Sequence, residues 1–151
     1  MVQAERTQMH DPRPLVFLDT SVVVEYLNGK IAWLFEPAAL ASVRYAINPI
    51  VLQETLLGAN TAEHPERLDA VRARAEMLPV QFERAQGLLS RAHELRARGL
   101  HSNDVLVFSS AADCNYLVTR DMMIGKLGDG DKPVVLLPEE FHERMLAPAL
   151  T

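Results

Sequence analysis

Four carboxylates stand where this sequence passes from one kind of segment to the next: Asp19, Glu54, Asp104 and Asp121. Oxygen ligands of this type hold hard divalent cations such as Mg²⁺ or Mn²⁺, and can orient water for hydrolysis. Asp19 closes the apolar run Leu15-Val16-Phe17-Leu18, and Asp121 comes just after Tyr116–Thr119. If both runs are parallel strands, both acids reach the rim beyond the strands' carboxyl ends, where open α/β sheets bind ligands. Glu54 follows Ile50 by one helical turn and precedes Leu57 by another, so it sets a charge into an apolar stripe. Asp104 falls in the first turn of a helix.

Each acid also has a plain structural explanation. Asp19, Asp104 and Asp121 suit caps, where a carboxylate meets free backbone N–H groups. Glu54 is solvated if the buried stripe is instead Val51, Leu52 and Thr55. What argues for chemistry is the set. Four carboxylates in one place repel one another and raise their pKa values unless a cation joins them. Other chemistries find less support. The histidines (His10, His64, His93, His101, His142) show no HExxH spacing, Cys114 has no inferable partner, and no glycine-rich phosphate loop occurs.

The elements that must position these acids read as alternating strands and helices. Strands are expected at Leu15–Leu18, Arg44–Ile47, Tyr116–Thr119 and Pro133–Leu137, with a weak edge strand at Met77–Val80 marked by Pro79. Helices are expected over Val22–Leu27, Ile31–Ala41 (interrupted by Pro37), Ile50–Leu57 behind an Asn48 cap and Pro49, Pro65–Glu76, Glu83–Arg98 and Val105–Asp113. This alternation predicts an α/β/α sandwich around a mostly parallel sheet. Residues 1–14 are read as a flexible arm ahead of one domain over 15–145.

The chain has 151 residues, 48% hydrophobic and 23% charged, with one cysteine. That fits one folded domain, excludes an internal disulfide framework and argues for a reducing, cytoplasmic setting. No apolar run reaches the ~18–20 residues of a membrane span. The formal charge of −5 would argue against nucleic acid, but not if four of the acids share a cation-binding pocket. Arg84, Arg91 and Arg98 form a stripe that reads either as a solvated face paired with Glu83 and Glu94 or as an RNA-backbone track. His101 reads as a surface histidine or an RNA contact. Trp33 and Phe35 read as core or as anchors for a partner.

The sequence resembles PIN-domain ribonucleases, specifically the VapC-type toxins of bacterial toxin–antitoxin pairs. The resemblance is carried by Leu15–Ser21 with the helix after it, Ile47-Asn48-Pro49-Ile50-Val51-Leu52-Gln53-Glu54, His101–Ala112 and Leu117-Val118-Thr119-Arg120-Asp121. It implies a PIN-like fold in which Asp19, Glu54, Asp104 and Asp121 form a catalytic Mg²⁺ or Mn²⁺ site, supported by the hydroxyls of Ser21 and Thr119. It further implies metal-dependent RNA cleavage, a homodimer and inhibition by a cognate antitoxin. The sequence departs from the family pattern at Met122-Met123-Ile124-Gly125, where many members carry an aromatic residue. Two competing readings are a non-catalytic metal- or RNA-binding module of the same fold, and a phosphatase using Asp19 as nucleophile. The second lacks the acid two residues on that such phosphatases use; Ser21 stands there.

Overall fold

The computed structural model describes residues 11–146. Five strands, β1 (Leu15–Leu18), β2 (Arg44–Ile47), β3 (Ala75–Met77), β4 (Tyr116–Val118) and β5 (Val134–Leu136), form one sheet in the order β3-β2-β1-β4-β5. Every pairing is parallel, with Phe17 opposite Ala46 on one side and Leu117 on the other. Parallel ladders need crossover connections, and these are helical: α1 (Thr20–Leu27), α2 (Pro37–Ser42), α3 (Pro49–Gly58), α4 (Pro65–Arg74), α5 (Phe82–Gly87), α6 (Leu89–Arg96) and α7 (Asp104–Ala111). A short α8 (Pro138–Phe141) follows β5. The architecture is the expected α/β one.

The order of the strands decides where a site can form. The chain steps from β1 outward to β2 and β3, then returns to the other side of β1 for β4 and β5. Right-handed crossovers therefore put α1–α4 on one face and α5–α7 on the other. The contacts agree: α1 packs on α3 and α4, while α5 packs on α7. The reversal lies between β1 and β4, so their carboxyl ends border a crevice between diverging loops.

Both faces of the sheet are covered at its centre, so β1 and β4 are apolar, while toward the edge β2 and β3 carry the paired charges Arg44 and Glu76. Val16, Phe17, Leu18, Tyr45, Ala46, Leu117 and Val118 are all fully buried. Each large side chain among them contributes about 1.5–3 kcal/mol of transfer free energy. Beneath α2 and α8 the core turns aromatic: Phe35 stacks between Tyr26 (4.8 Å) and Tyr45 (5.0 Å), and Trp33 lies against Phe141 and His142.

Several expected boundaries shift for local reasons. The span 31–41 divides into a 3₁₀ turn, Ala32–Phe35, and α2, because Pro37 serves as a first helical residue. The long helix expected over 83–98 is two helices broken at Leu88, directly after Gly87, the residue with the weakest helical preference in the span. The edge strand begins at Ala75, not Met77: α4 ends at Arg74, and β3 pairs with β2 before Pro79 is reached. Of the expected arm, residues 1–10 lie outside the described residues. Asp11–Pro14 are held against α2 and β2, since the Arg13 guanidinium donates to the carbonyl of Leu40 and Pro14 accepts from the amide of Arg44.

Candidate functional site

Asp19 is the residue after β1, and its own amide donates to the carbonyl of Val118 at 3.0 Å, which stitches the ends of β1 and β4 together. Its side chain caps α1 through the amide of Thr20 (2.8 Å) and accepts a second hydrogen bond from the buried hydroxyl of Thr119 (2.7 Å). The cap explanation is therefore correct for Asp19, and incomplete, because caps are normally solvated and this carboxylate is only 8% exposed. Burial raises its pKa; the two hydrogen bonds pull the other way, and the charges of Glu54 and Asp121 add to the rise.

Glu54 reaches the same rim from α3. The buried stripe of that helix is Val51 and Thr55, whereas Leu57 is 82% exposed, so the stripe through Ile50 and Leu57 is not the one that packs. Glu54 sits at the margin of the buried face, with both oxygens engaged. Thr20 donates to Oε1 at 2.7 Å and the Asn103 amide donates to Oε2 at 3.2 Å. Thr20 adjoins Asp19, and Asn103 adjoins Asp104, so Glu54 is bonded to the neighbours of two other acids.

Asp104 opens α7 and accepts from the backbone N–H of His101 at 2.8 Å. Its pKa is pushed up to about 6, chiefly by partial burial and further by the charges of Asp19 and Asp121. Asp121, after β4, accepts from the amide of Met123 at 3.0 Å, and its own amide donates to the Thr119 hydroxyl at 2.9 Å. All four acids thus border the crevice at the β1–β4 reversal. Among the described residues, none of them forms an ion pair with a lysine, arginine or histidine.

The framework beneath is polar and tied across helices, although the buried Thr55 hydroxyl of α3 has no partner. Asn48, fully buried, caps α3 by accepting from the amide of Val51 (3.0 Å) and donates to the Leu106 carbonyl and the Ser110 hydroxyl of α7. This fixes the helix that carries Glu54 against the one that carries Asp104. Ser21 does not face the acids through a hydrogen bond; its hydroxyl accepts from the amide of Arg120 (3.2 Å). Arg120, flanked by Thr119 and Asp121, turns its guanidinium away into a paired clamp with Glu25 of α1 and Glu139 of α8, at 2.6–3.0 Å. Sequence reasoning missed Thr20, Asn103 and Arg120. Their adjacency to the acids was the available signal.

The donor set suits a hard cation: carboxylate and hydroxyl oxygens and no thiolate, with burial, and after it the neighbouring carboxylates, raising the pKa values of Asp19 and Asp104. Among the described residues, no three acid, thiol or imidazole side chains converge closely enough to ligate one ion together. Mg²⁺ commonly keeps several waters and meets only one or two carboxylates directly, so the arrangement is compatible with it.

A model of the PIN domain family matches residues 16–129. Among solved structures, the chain is similar to one in the crystal structure of VapBC2 from Rickettsia felis bound to a DNA fragment from their promoter. The TM-score is 0.56 at 20% identity, covering 82% of this chain and 98% of that one. At that identity the likeness concerns the fold. None of the curated proteins matches the chain.

Proposed function

The chain belongs to the PIN domain family, whose members are generally nucleases that use divalent metal ions, and on that footing we propose that it is an Mg²⁺- or Mn²⁺-dependent endoribonuclease, the toxin of a type II toxin–antitoxin pair. The observation that carries this reading is the gathering of Asp19, Glu54, Asp104 and Asp121 around one crevice with no cationic side chain paired to any of them. The activity belongs to a single domain over 15–145.

In this reading the four carboxylates hold the cation and its waters. Thr119 and Thr20 orient Asp19 and Glu54, so that their free lone pairs face the crevice instead of rotating between rotamers. Burial first, and then the charges of Asp19 and Asp121, raise the pKa of Asp104, a penalty that a bound cation relieves. A bound divalent ion supplies charge neutralisation for the phosphate and acidifies water.

The similarity of fold to a chain of the VapBC2 complex supports an antitoxin as partner. A homodimer has a candidate face where Leu56 and Leu57 of α3 and Met77 of the edge strand β3 lie exposed around one apolar hollow. Among the described residues no helix is long and apolar enough to cross a membrane, and the proposed location is the cytoplasm. The test is digestion of total RNA by the purified chain with Mg²⁺ and with EDTA, beside Asp19→Asn. Cleavage that needs the ion and vanishes in the variant supports the reading. RNA binding without ion-dependent cleavage would instead make the chain a binding module.

A further inference from the structure

Near Asp104, α6 and the start of α7 border an open cleft of about 140 Å³. Its floor is apolar: Ala92, Leu100 and Val105 are each less than a tenth exposed. Its rim is not. His93, Arg96 and His101 line it with exposed side chains. The cleft also adjoins Asp104, for Val105 follows it directly and the His101 amide donates to its carboxylate.

The arginines of this region are not equivalent. Arg84 is spent on Asp113 and the Ser109 carbonyl, and Arg91 on the Leu127 carbonyl and Asp129. The stripe that might have tracked an RNA backbone is therefore closed at two positions, and by acids other than Glu83 and Glu94. Arg96 has no ion pair or hydrogen-bond partner from its side chain among the described residues, and it faces the cleft.

We propose that this cleft is the subsite for a nucleotide of single-stranded RNA adjacent to the phosphate that is cut, with Arg96 on the backbone phosphate and the apolar floor under the base or ribose. The proposal rests on the nuclease reading above and adds to it the place where substrate is held. Its physical ground is the sign of the charges. A crevice of four acids repels a polyanion, so a strand brought there is helped by a fixed positive charge nearby, and Arg96 supplies one on the α7 side, with the His93 and His101 side chains beside it on the rim. A guanidinium can take a phosphate bidentately or lie flat on a base, and an apolar floor accepts any base.

The experiment uses the full chain and a short, fluorescein-labelled, mixed-sequence single-stranded RNA. Anisotropy in EDTA reads binding without cleavage, and the same RNA in Mg²⁺ reads kcat and KM. Arg96→Ala is expected to weaken binding and raise KM about 5–10-fold, to lower the salt slope of log K by about one, and to leave kcat within about two-fold. Arg96→Lys keeps the charge and the salt slope but loses the fork geometry, so it recovers only part of the affinity. If wild type binds and cleaves RNA but Arg96→Ala does so with unchanged affinity, the subsite is refuted and the nuclease reading stands. If wild type neither binds nor cleaves, both fall. A change in oligomeric state of Arg96→Ala with RNA affinity unaltered would make the cleft a contact between copies and also overturns the proposal.

Discussion

Replacing Asp104 by Asn should make the folded protein more stable while removing its activity. In the native state the Asp104 carboxyl has its pKa pushed from 3.8 up to about 6 by burial and by the charges of Asp19 and Asp121. Ionised Asp104 is therefore penalised in the folded state relative to the unfolded one. The penalty is absent below pH 3.8, grows as pH rises toward 6 and is complete above it. At about 1.36 kcal/mol per decade the gap amounts to ~3 kcal/mol, which the half-exposed position and solvent screening reduce to ~1–2 kcal/mol. Asparagine removes the charge and keeps an oxygen for the His101 amide. At pH 7.5 in EDTA, Asp104→Asn should raise the urea-unfolding free energy by ~1–2 kcal/mol and Tm by about 2–8 °C. Near pH 4 the two proteins should converge. Adding Mg²⁺ at about ten times its Kd should return ~1.4 kcal/mol to the wild type and less to the variant. A variant less stable than wild type at pH 7.5, or a difference unchanged between the two pH values, would refute the idea that like charges strain this crevice.

Other outcomes follow from single contacts. Thr119→Val removes a hydroxyl that donates to buried Asp19 and accepts from the Asp121 amide; urea unfolding should show a loss of ~2–4 kcal/mol, with Thr119→Ser retaining most of the stability. Asn48→Ala deletes an N-cap, leaves the buried Val51 amide without its acceptor and removes the donor to the Leu106 carbonyl and Ser110 hydroxyl, so a loss of ~2–4 kcal/mol is expected, with RNA cleavage also reduced because α3 and α7 lose their common tie. Arg120→Ala opens the clamp to Glu25 and Glu139. It should lower Tm by about 2–4 °C at low salt, and by less in about 1 M NaCl, because the pairs are partly exposed.

The strands β1 and β2 and the cap of α3 were legible because their causes are local. Leu15–Leu18 is apolar without helical spacing, and Asn48-Pro49 is a start signal whatever surrounds it. Asp19, Asp104 and Asp121 were legible at element ends for the same reason, whereas Glu54, read with them, lies in the middle of α3. What a single sequence could not give is which acid each hydroxyl holds: Thr119 is singled out only through the family resemblance, and Thr20 is not singled out. Thr20 meets Glu54 and Thr119 meets Asp19 across separations of 34 and 100 residues, and nothing near either threonine encodes the partner. The arginines teach the same point: their local acids, Glu83 and Glu94, are bypassed for Asp113 and Asp129, which only the packing of α5 on α7 and of α6 on the turn at 124–127 brings within reach. The break at Leu88 was hidden because the Leu88, Ala92 and Leu95 spacing runs through it undisturbed.

The central place of β1 has a temporal meaning. Its partner β4, and the threonine that holds Asp19, are made 100 residues later, so no shorter nascent chain can close the sheet or assemble the crevice. A parallel sheet with contacts this distant in sequence also gathers slowly. On the function proposed above, the carboxylates would stay apart, and the site inactive, until β4 has been made.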